Sequence, residues 1–271
     1  MQIKFNAEKI KDFTKMLDDH SFNEFRGFTS RYRGFEVPNL NEDVKMKILH
    51  KLSASNYLQI PSFKDFWVWF KKNHGMTLVG QMCEHLFPAP EDMRDRQKMI
   101  NVVRNNRSHA FWMHIKARIY KKWCSIVTEA QCVYATLQGV MKNNLDWKVF
   151  ASAELDAIGI DFVIANEFEV VPIQIKKDSF SFYAKHKKNG SENLMRFDLT
   201  KKAERILKRE MEKNKVDMPI ASGMLLKYGL MESGRLPYEY LSQYENGFVY
   251  FRGEKLVAML NQEFNISKTI D

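Results

Sequence analysis

The feature that most constrains the fold is a change in the spacing of apolar residues near residue 145. From residue 107 to 142, apolar residues recur at steps of three and four, which predicts one long helix with a continuous apolar stripe. Asn143, Asn144 and the preceding Gly139 indicate where this helix ends. The stripe comprises Trp112, Ile115, Ile119, Trp123, Ile126, Ala130, Val133, Leu137 and Val140. Such a helix must pack against a sheet or another helix.

After this helix the apolar period becomes two, which predicts β-strands. The expected strands cover residues 147–152, 160–165 and 170–176, with a turn at Asn166 and Glu167 between the last two. Pro172 has no N–H for a sheet ladder, so we expect it at the start of its strand or on an edge. The remaining segments are a helix over 198–214, a strand over 218–229, and a strand followed by a helix over 247–260. The predicted class is α/β (α+β), a central mixed sheet flanked by helices.

The first part of the chain has a different character. Residues 1–105 are expected to form a mainly helical N-terminal region, and residues 106–271 the core. The segment FKDFWVWF, residues 63–70, places its aromatic side chains at helical spacing. A stripe of this kind is typical of a packed core rather than of a surface that stacks on bases.

Hydrophobicity and cysteine content bear on the compartment in which the chain works. No apolar run approaches the roughly 18 to 20 residues that a membrane-spanning helix needs. The first residues, MQIKFNAEKIKDF, lack the apolar core of a signal peptide. The three cysteines form no CxxC pair and suggest reduced thiols. We therefore expect a cytoplasmic protein with no membrane partner.

The charge is strongly positive and unevenly distributed. The formal net charge is +9, and the segment from Arg94 to Lys122 contains nine Lys or Arg residues with one acid, Asp95. Aromatic residues are interleaved with these cations. This combination favours a surface that binds nucleic acid, since each cation near a phosphate strengthens binding.

Several polar residues interrupt the apolar hairpin that follows the long helix. Alternate residues of a strand share one face, so Gln174 and Lys176 should point away from the core side. Asp161 begins the neighbouring antiparallel strand and is expected to meet Lys176 across the pair. Asp156 lies in the connection that carries Gly159 and could reach the same spot.

This arrangement suits phosphodiester hydrolysis. Asp161 and a second oxygen ligand can hold Mg²⁺, a hard cation that prefers oxygen. The carbonyl oxygen of Ile175 is a candidate for a further metal ligand because it lies at the end of the same strand. Lys176 could orient the attacking water or stabilise the negative charge that develops on the phosphate. An ordinary sheet edge with solubilising charges is the competing interpretation.

The residues at this point resemble a known group. DAIGIDFVI at 156–164 and IQIK at 173–176, in this order of helix and strands, are similar to the PD-(D/E)xK nuclease superfamily. Among its members, the chain most resembles type II restriction endonucleases of the TaqI type, which cut within TCGA. The resemblance implies an αβββαβ restriction-endonuclease-like core in which Asp161 and Lys176 match the catalytic positions. It also implies that Glu129 could be the helical acid found in the superfamily.

The chain departs from the superfamily at one position. Gln174 stands where an acid is usual, so it offers a neutral oxygen as a candidate metal ligand and catalytic residue. This makes Asp156 or Glu154 more important for completing the set of ligands around Asp161.

These observations lead to an expected activity, a Mg²⁺-dependent endodeoxyribonuclease that cuts double-stranded DNA at a short palindromic site. A symmetric site favours a homodimer, and the resemblance implies a cognate DNA methyltransferase. Residues 1–105 would supply DNA grip or dimer contacts. The candidate DNA-binding residues are Arg104, Asn105, Asn106, Arg107, Lys177, Lys185 and Lys187. A repair or junction-resolving nuclease and a non-catalytic DNA-binding protein with the same fold are the alternatives.

Overall fold

The structure is a computed structural model, and it describes residues 63–86, 109–177, 195–230 and 233–267. The helices within these ranges are α1 (Phe63–Leu86), α2 (His109–Lys142), α3 (Ala153–Asp156), α4 (Lys201–Lys213) and α5 (Gly253–Ser267). The strands are β1 (Lys148–Phe150), β2 (Phe162–Ala165), β3 (Val170–Lys177), β4 (Met195–Phe197), β5 (Gly223–Tyr228), β6 (Leu241–Gln243) and β7 (Val249–Phe251).

Helix α2 is the long helix that the apolar stripe predicts. Its stripe residues from Ile119 to Val140 are buried. The helix ends at Lys142, where the backbone N–H of Asn143 and its side-chain amide both donate to the carbonyl of Gly139, at 3.1 and 2.7 Å. Asn144 follows with a positive φ of 50°, which turns the chain toward the sheet.

Five strands form a mixed sheet in the order β1-β2-β3-β5-β4. The first three are an antiparallel meander, and β3 and β5 are parallel. Asn166 makes the β2–β3 turn, because its side-chain oxygen accepts the N–H groups of Phe168 and Glu169, each at 2.8 Å. Helix α4 connects the third strand of the meander to β5, which gives the expected αβββαβ order with β4 as an added edge strand.

Each face of the sheet is covered by one helix. Helix α2 packs on the face that carries Phe162, Ile164 and Ile173. Helix α4 covers the opposite face, where its buried Leu207 packs with Val163. The alternation predicted at the end of β3 is confirmed, since Ile173 and Ile175 are buried while Gln174 is half-buried and Lys176 is exposed. Earlier in the strand, both faces are covered by helices.

Pro172 does not occupy the position expected for it. It is the third residue of β3, an interior strand, and pairs with Val163 of β2. The ladder between β3 and β5 explains why it is tolerated. An isolated bridge joins Val170 to Ile220, and regular pairing resumes only at Ile173 and Met224. Pro172 lies in this interruption, where a backbone donor can be missing without breaking a continuous ladder.

Helices α2 and α5 cross with their backbones in close approach. A Cβ atom added to Gly139 would collide with the carbonyl oxygen of Gly253, and one added to Gly253 would collide with the carbonyl oxygen of Ala135. Lys142 and Glu254 form an ion pair beside this crossing. Gly139 therefore lies inside the helix as a packing position, and it does not act as the end signal that its sequence context indicates.

Of the expected N-terminal region 1–105, the structure describes only helix α1. Its Phe63, Phe66 and Phe70 are buried in the same core as Trp123 of α2. This confirms that the aromatic stripe is core. Among the helices of the described ranges, none is both long and apolar enough to cross a membrane.

Candidate active site

Asp161 lies one residue before β2 and is held against the end of β3. Its backbone N–H donates to the carbonyl of Ile173 at 2.8 Å. Its carboxylate atom Oδ2 accepts the backbone N–H of Ile175 at 2.6 Å. The side chain therefore takes the place of a ladder acceptor at the point where β2 has not yet begun. This bond fixes the carboxylate beside the end of β3.

A tight turn presents Asp156 to the same place. Helix α3 has four residues and is capped by Ser152, whose side chain accepts the N–H of Leu155. Leu155 is fully buried and anchors the turn. Gly159, with φ of 83°, then reverses the chain toward Asp161, a conformation that glycine adopts readily.

The third carboxylate comes from helix α2. Glu129 is only 8% exposed, and its Oε1 accepts a hydrogen bond from the Ser125 hydroxyl at 3.0 Å. One carboxylate oxygen from each of Glu129, Asp156 and Asp161 lies within 4.8 Å of the others. Three separate segments, a helix, a turn and a strand start, thus converge on one spot.

The chemistry of these three groups fits a divalent cation. Mg²⁺ and Ca²⁺ prefer oxygen ligands, and carboxylates are their usual protein ligands. Ligands held at about 2.1 Å around an octahedral ion are separated by about 3 to 4 Å, so only small side-chain adjustments are required. Three neighbouring carboxylates would otherwise repel one another. The donor set is therefore compatible with a divalent cation.

Gln174 and Lys176 follow the last pair of the ladder between β2 and β3. That pair joins Phe162 to Ile173, and Asp161, one residue earlier, donates its backbone N–H to the same Ile173 carbonyl. Gln174 is half-buried, and its Nε2 would lie 3.0 Å from a Cβ atom added to Gly159. Its amide therefore packs on the turn that carries Asp156. The meeting of Asp161 and Lys176 across the pair of strands stays a prediction.

Lys176 is exposed and lies two residues beyond Gln174, on the same side of β3. The N–H of Ile175 points toward Asp161, and in a strand the carbonyl of a residue points to the same edge as its N–H. The Ile175 carbonyl oxygen therefore faces the side of the carboxylates.

The other predicted metal-ligand and DNA-binding residues that the structure describes do not join this group of carboxylates. Glu154 points toward α4, where Lys213 lies 3.9 Å away, so Asp156 and not Glu154 joins the carboxylate group. Lys177 is exposed at the end of β3. The remaining candidate DNA-binding residues lie outside the described residues, namely Arg104, Asn105, Asn106, Arg107, Lys185 and Lys187.

Two further residues of the site come from β5 and have no signal in the local pattern around the hairpin. Tyr228 is buried on the α2 side, its hydroxyl is hydrogen-bonded with Ser125, and burial raises the pKa of its phenol well above the ordinary value. Lys227 is also buried, and the register pairs it with Lys176 on the neighbouring parallel strand. The alternation of β5 predicts their opposite faces, but only the register of β3 with β5 brings them to this site.

One family model matches most of the chain. The model of the TaqI restriction endonuclease family matches residues 8–263, which is nearly the whole chain and includes every residue of the site. No curated protein and no solved structure was found to match the chain.

Proposed function

Because the chain belongs to the TaqI restriction endonuclease family, and is thus a type II site-specific deoxyribonuclease, we propose that it cuts double-stranded DNA with Mg²⁺ at a short palindromic, TCGA-like site. The observation that carries the proposal is the convergence of Glu129, Asp156 and Asp161 beside the end of β3. The TCGA-like sequence rests on the likeness to TaqI-type enzymes alone.

The three carboxylates would hold the ion, with the Ile175 carbonyl and the Gln174 amide as further neutral oxygens. When bound, Mg²⁺ supplies positive charge that polarises the scissile phosphate and acidifies a nearby water. The bond from Ile175 to Asp161 keeps that carboxylate from turning away. The packing of Gln174 on Gly159 supports the turn from which Asp156 projects.

Lys176 acts on the substrate side of the site. Its ammonium donates to a non-bridging phosphate oxygen and stabilises the charge that develops as water attacks phosphorus. One P–O ester bond breaks, the water oxygen stays on the phosphate, and a proton reaches the departing oxygen. Lys176 is suited to this role because it is exposed where the carboxylates are largely enclosed.

The proposal extends to the assembly on DNA. A symmetric site is most simply cut by a homodimer in which each copy faces one strand. Residues 1–105 would contribute grip or dimer contacts to the core of residues 106–271, and the basic segment from Arg94 to Lys122 would contact phosphates. A cognate DNA methyltransferase would protect the cell's own sites, and the cytoplasm is the expected compartment.

The direct test is digestion of a mixed genomic DNA in Mg²⁺ or in EDTA, followed by sequencing of the new ends. Discrete fragments that share one symmetric terminal sequence, formed only in Mg²⁺, support the proposal. Random ends, or equal cutting in EDTA, contradict it. Cleavage of unrelated sequences only at junctions or lesions would instead support a repair nuclease.

A further inference from the structure

The hydroxyl of Ser125 is directed at a carboxylate and not at the backbone of its own helix. Thr128 and Thr136, on the same helix, each donate at 2.9 Å to the carbonyl four residues earlier, which is the common arrangement for such residues. Ser125 instead donates at 3.0 Å to Oε1 of Glu129, one turn later. The hydroxyl thus engages one oxygen of a carboxylate in the cation site.

Tyr228 connects the Ser125 hydroxyl of α2 to strand β5 of the sheet. It is the last residue of β5 and is only 6% exposed, and its hydroxyl is hydrogen-bonded with Ser125. The charges of Glu129 and Asp161 are close enough to act on the same phenol.

The ring of Tyr228 is itself held in place. It contacts Phe251 of β7 with centroids 6.2 Å apart. Gln131 fixes the backbone of Phe251 by donating to its carbonyl at 2.9 Å and accepting its N–H at 2.8 Å. Gln131 lies on α2 two residues after Glu129. The β6–β7 hairpin therefore ties Tyr228 to the helix that carries the metal-site carboxylate.

We propose that Ser125 and Tyr228 are positioning residues that orient Glu129 toward Asp156 and Asp161, and so set the affinity of the site for its divalent cation. The inference rests on the proposed function. A carboxylate already held in its binding orientation loses less rotamer freedom when the ion arrives. Residues that orient metal ligands in this way typically change metal affinity or activity by about 10- to 100-fold when mutated.

The test compares Ser125→Ala and Tyr228→Phe with two matched controls. Thr136→Ala removes a buried hydroxyl from the same helix, and Tyr240→Phe removes a buried tyrosine hydroxyl that donates to the carbonyl of Lys227 at 3.0 Å. Calorimetric titration of each protein with Ca²⁺, without DNA, gives the dissociation constant. Plasmid cleavage over a series of Mg²⁺ concentrations gives the half-saturating concentration.

We expect Ser125→Ala and Tyr228→Phe to raise both constants about 10-fold or more, with cleavage largely restored at saturating Mg²⁺. The double variant should resemble the single variants, because both changes break one chain of contacts. The controls should stay within about twofold of the wild type. A purely structural role would lower the melting temperature and leave the cation constants unchanged.

The outcomes separate the two proposals. If the wild type binds the cations and both site variants bind them equally well, the positioning role is wrong while the nuclease proposal stands. Equal weakening in the controls would also overturn the positioning role. If the wild type binds neither Ca²⁺ nor Mg²⁺, the proposed metal-dependent function fails, and the inference that depends on it fails too.

Discussion

The backbone N–H of Ile175 donates a hydrogen bond of 2.6 Å to Oδ2 of Asp161, which joins a candidate metal ligand directly to the strand that carries Lys176. The bond gives Asp161 two separable roles. One oxygen accepts the N–H of Ile175 at the end of β3, and the negative charge serves the proposed cation site.

Replacement of Asp161 by Asn should separate these roles. The amide oxygen can still accept from Ile175, so we expect the free energy of unfolding to change by less than the ~1 kcal/mol of a lost hydrogen bond. Cleavage should fall by about 10²- to 10³-fold or more, because the negative charge that holds the cation beside the phosphate is lost. Melting curves and plasmid cleavage measure the two effects. Asp146→Asn, at an exposed position after α2, is the control, and retained cleavage in Asp161→Asn would refute the assignment.

Lys176 and its neighbour Lys177 should respond differently to replacement by Ala. Both are exposed at the end of β3, but alternation points them to opposite sides. Lys176→Ala should lower the rate at saturating DNA by about 10²-fold or more, since it removes charge from the developing transition state. Lys177→Ala should change only the salt dependence of DNA binding. The slope of the logarithm of the binding constant against the logarithm of salt concentration should fall by about one unit, as for the loss of one phosphate contact. Similar rates for the two variants would argue against the role of Lys176.

Gly159→Ala should impair cleavage beyond its effect on stability. Gly159 and Gly234 both have a left-handed backbone, with φ of 83° and 78°. An alanine in that conformation costs about 1 to 2 kcal/mol at either position. Only at Gly159 does the new Cβ press on another group, the amide of Gln174, whereas Gly234 has open space around it.

We therefore expect similar losses of melting temperature in the two glycine variants and a further loss of cleavage, about 10-fold or more, in Gly159→Ala alone. Displacement of a catalytic group by about 1 Å can cost 10²-fold. Rates and melting curves on the same preparations decide the matter. If Gly234→Ala loses cleavage equally, the effect is one of stability and not of the Asp156 turn.

Gly139→Ala should destabilise the fold although alanine is the better helix former. The added methyl group would collide with the backbone carbonyl of Gly253 and with the side chain of Val257. Such overpacking typically costs about 1 to 3 kcal/mol, measured here by chemical unfolding. Met141→Ala, at an exposed position in the last turn of the same helix, should change stability by less than about 0.5 kcal/mol. If Gly139→Ala has the same free energy of unfolding as the wild type, the two helices can move apart to accommodate the methyl group.

The periodic parts of the fold could be predicted from the sequence. The stripe of α2 and the apolar runs of β2 and β3 each contain many buried residues, so single exceptions do not hide the pattern. The strands β4 and β6 have three residues each, which is too short for a period to show. The position of Pro172 depends on an interruption in the pairing of β3 with β5, and no local pattern encodes it.

The sequence likewise predicts some residues of the candidate site but not others. Asp156, Asp161, Gln174 and Lys176 lie within one hairpin and its approach, so the sequence indicates that they are near one another. The register that pairs Phe162 with Ile173 depends on the packing of both strands. The contact of Tyr228 with Ser125 joins β5 to α2 and depends on the whole sheet being assembled. Contacts of this kind follow from tertiary packing and cannot be predicted from the spacing of residue types along the sequence.

The crossing of α2 and α5 has an evolutionary consequence. The obstructing atoms on both sides are main-chain oxygens, of Gly253 against Gly139 and of Ala135 against Gly253. Every amino acid carries that oxygen, so no second-site change of a nearby side chain can make room for a larger residue. Relatives that keep this helix pair should therefore retain glycine at both places, or shift the two helices apart as whole bodies.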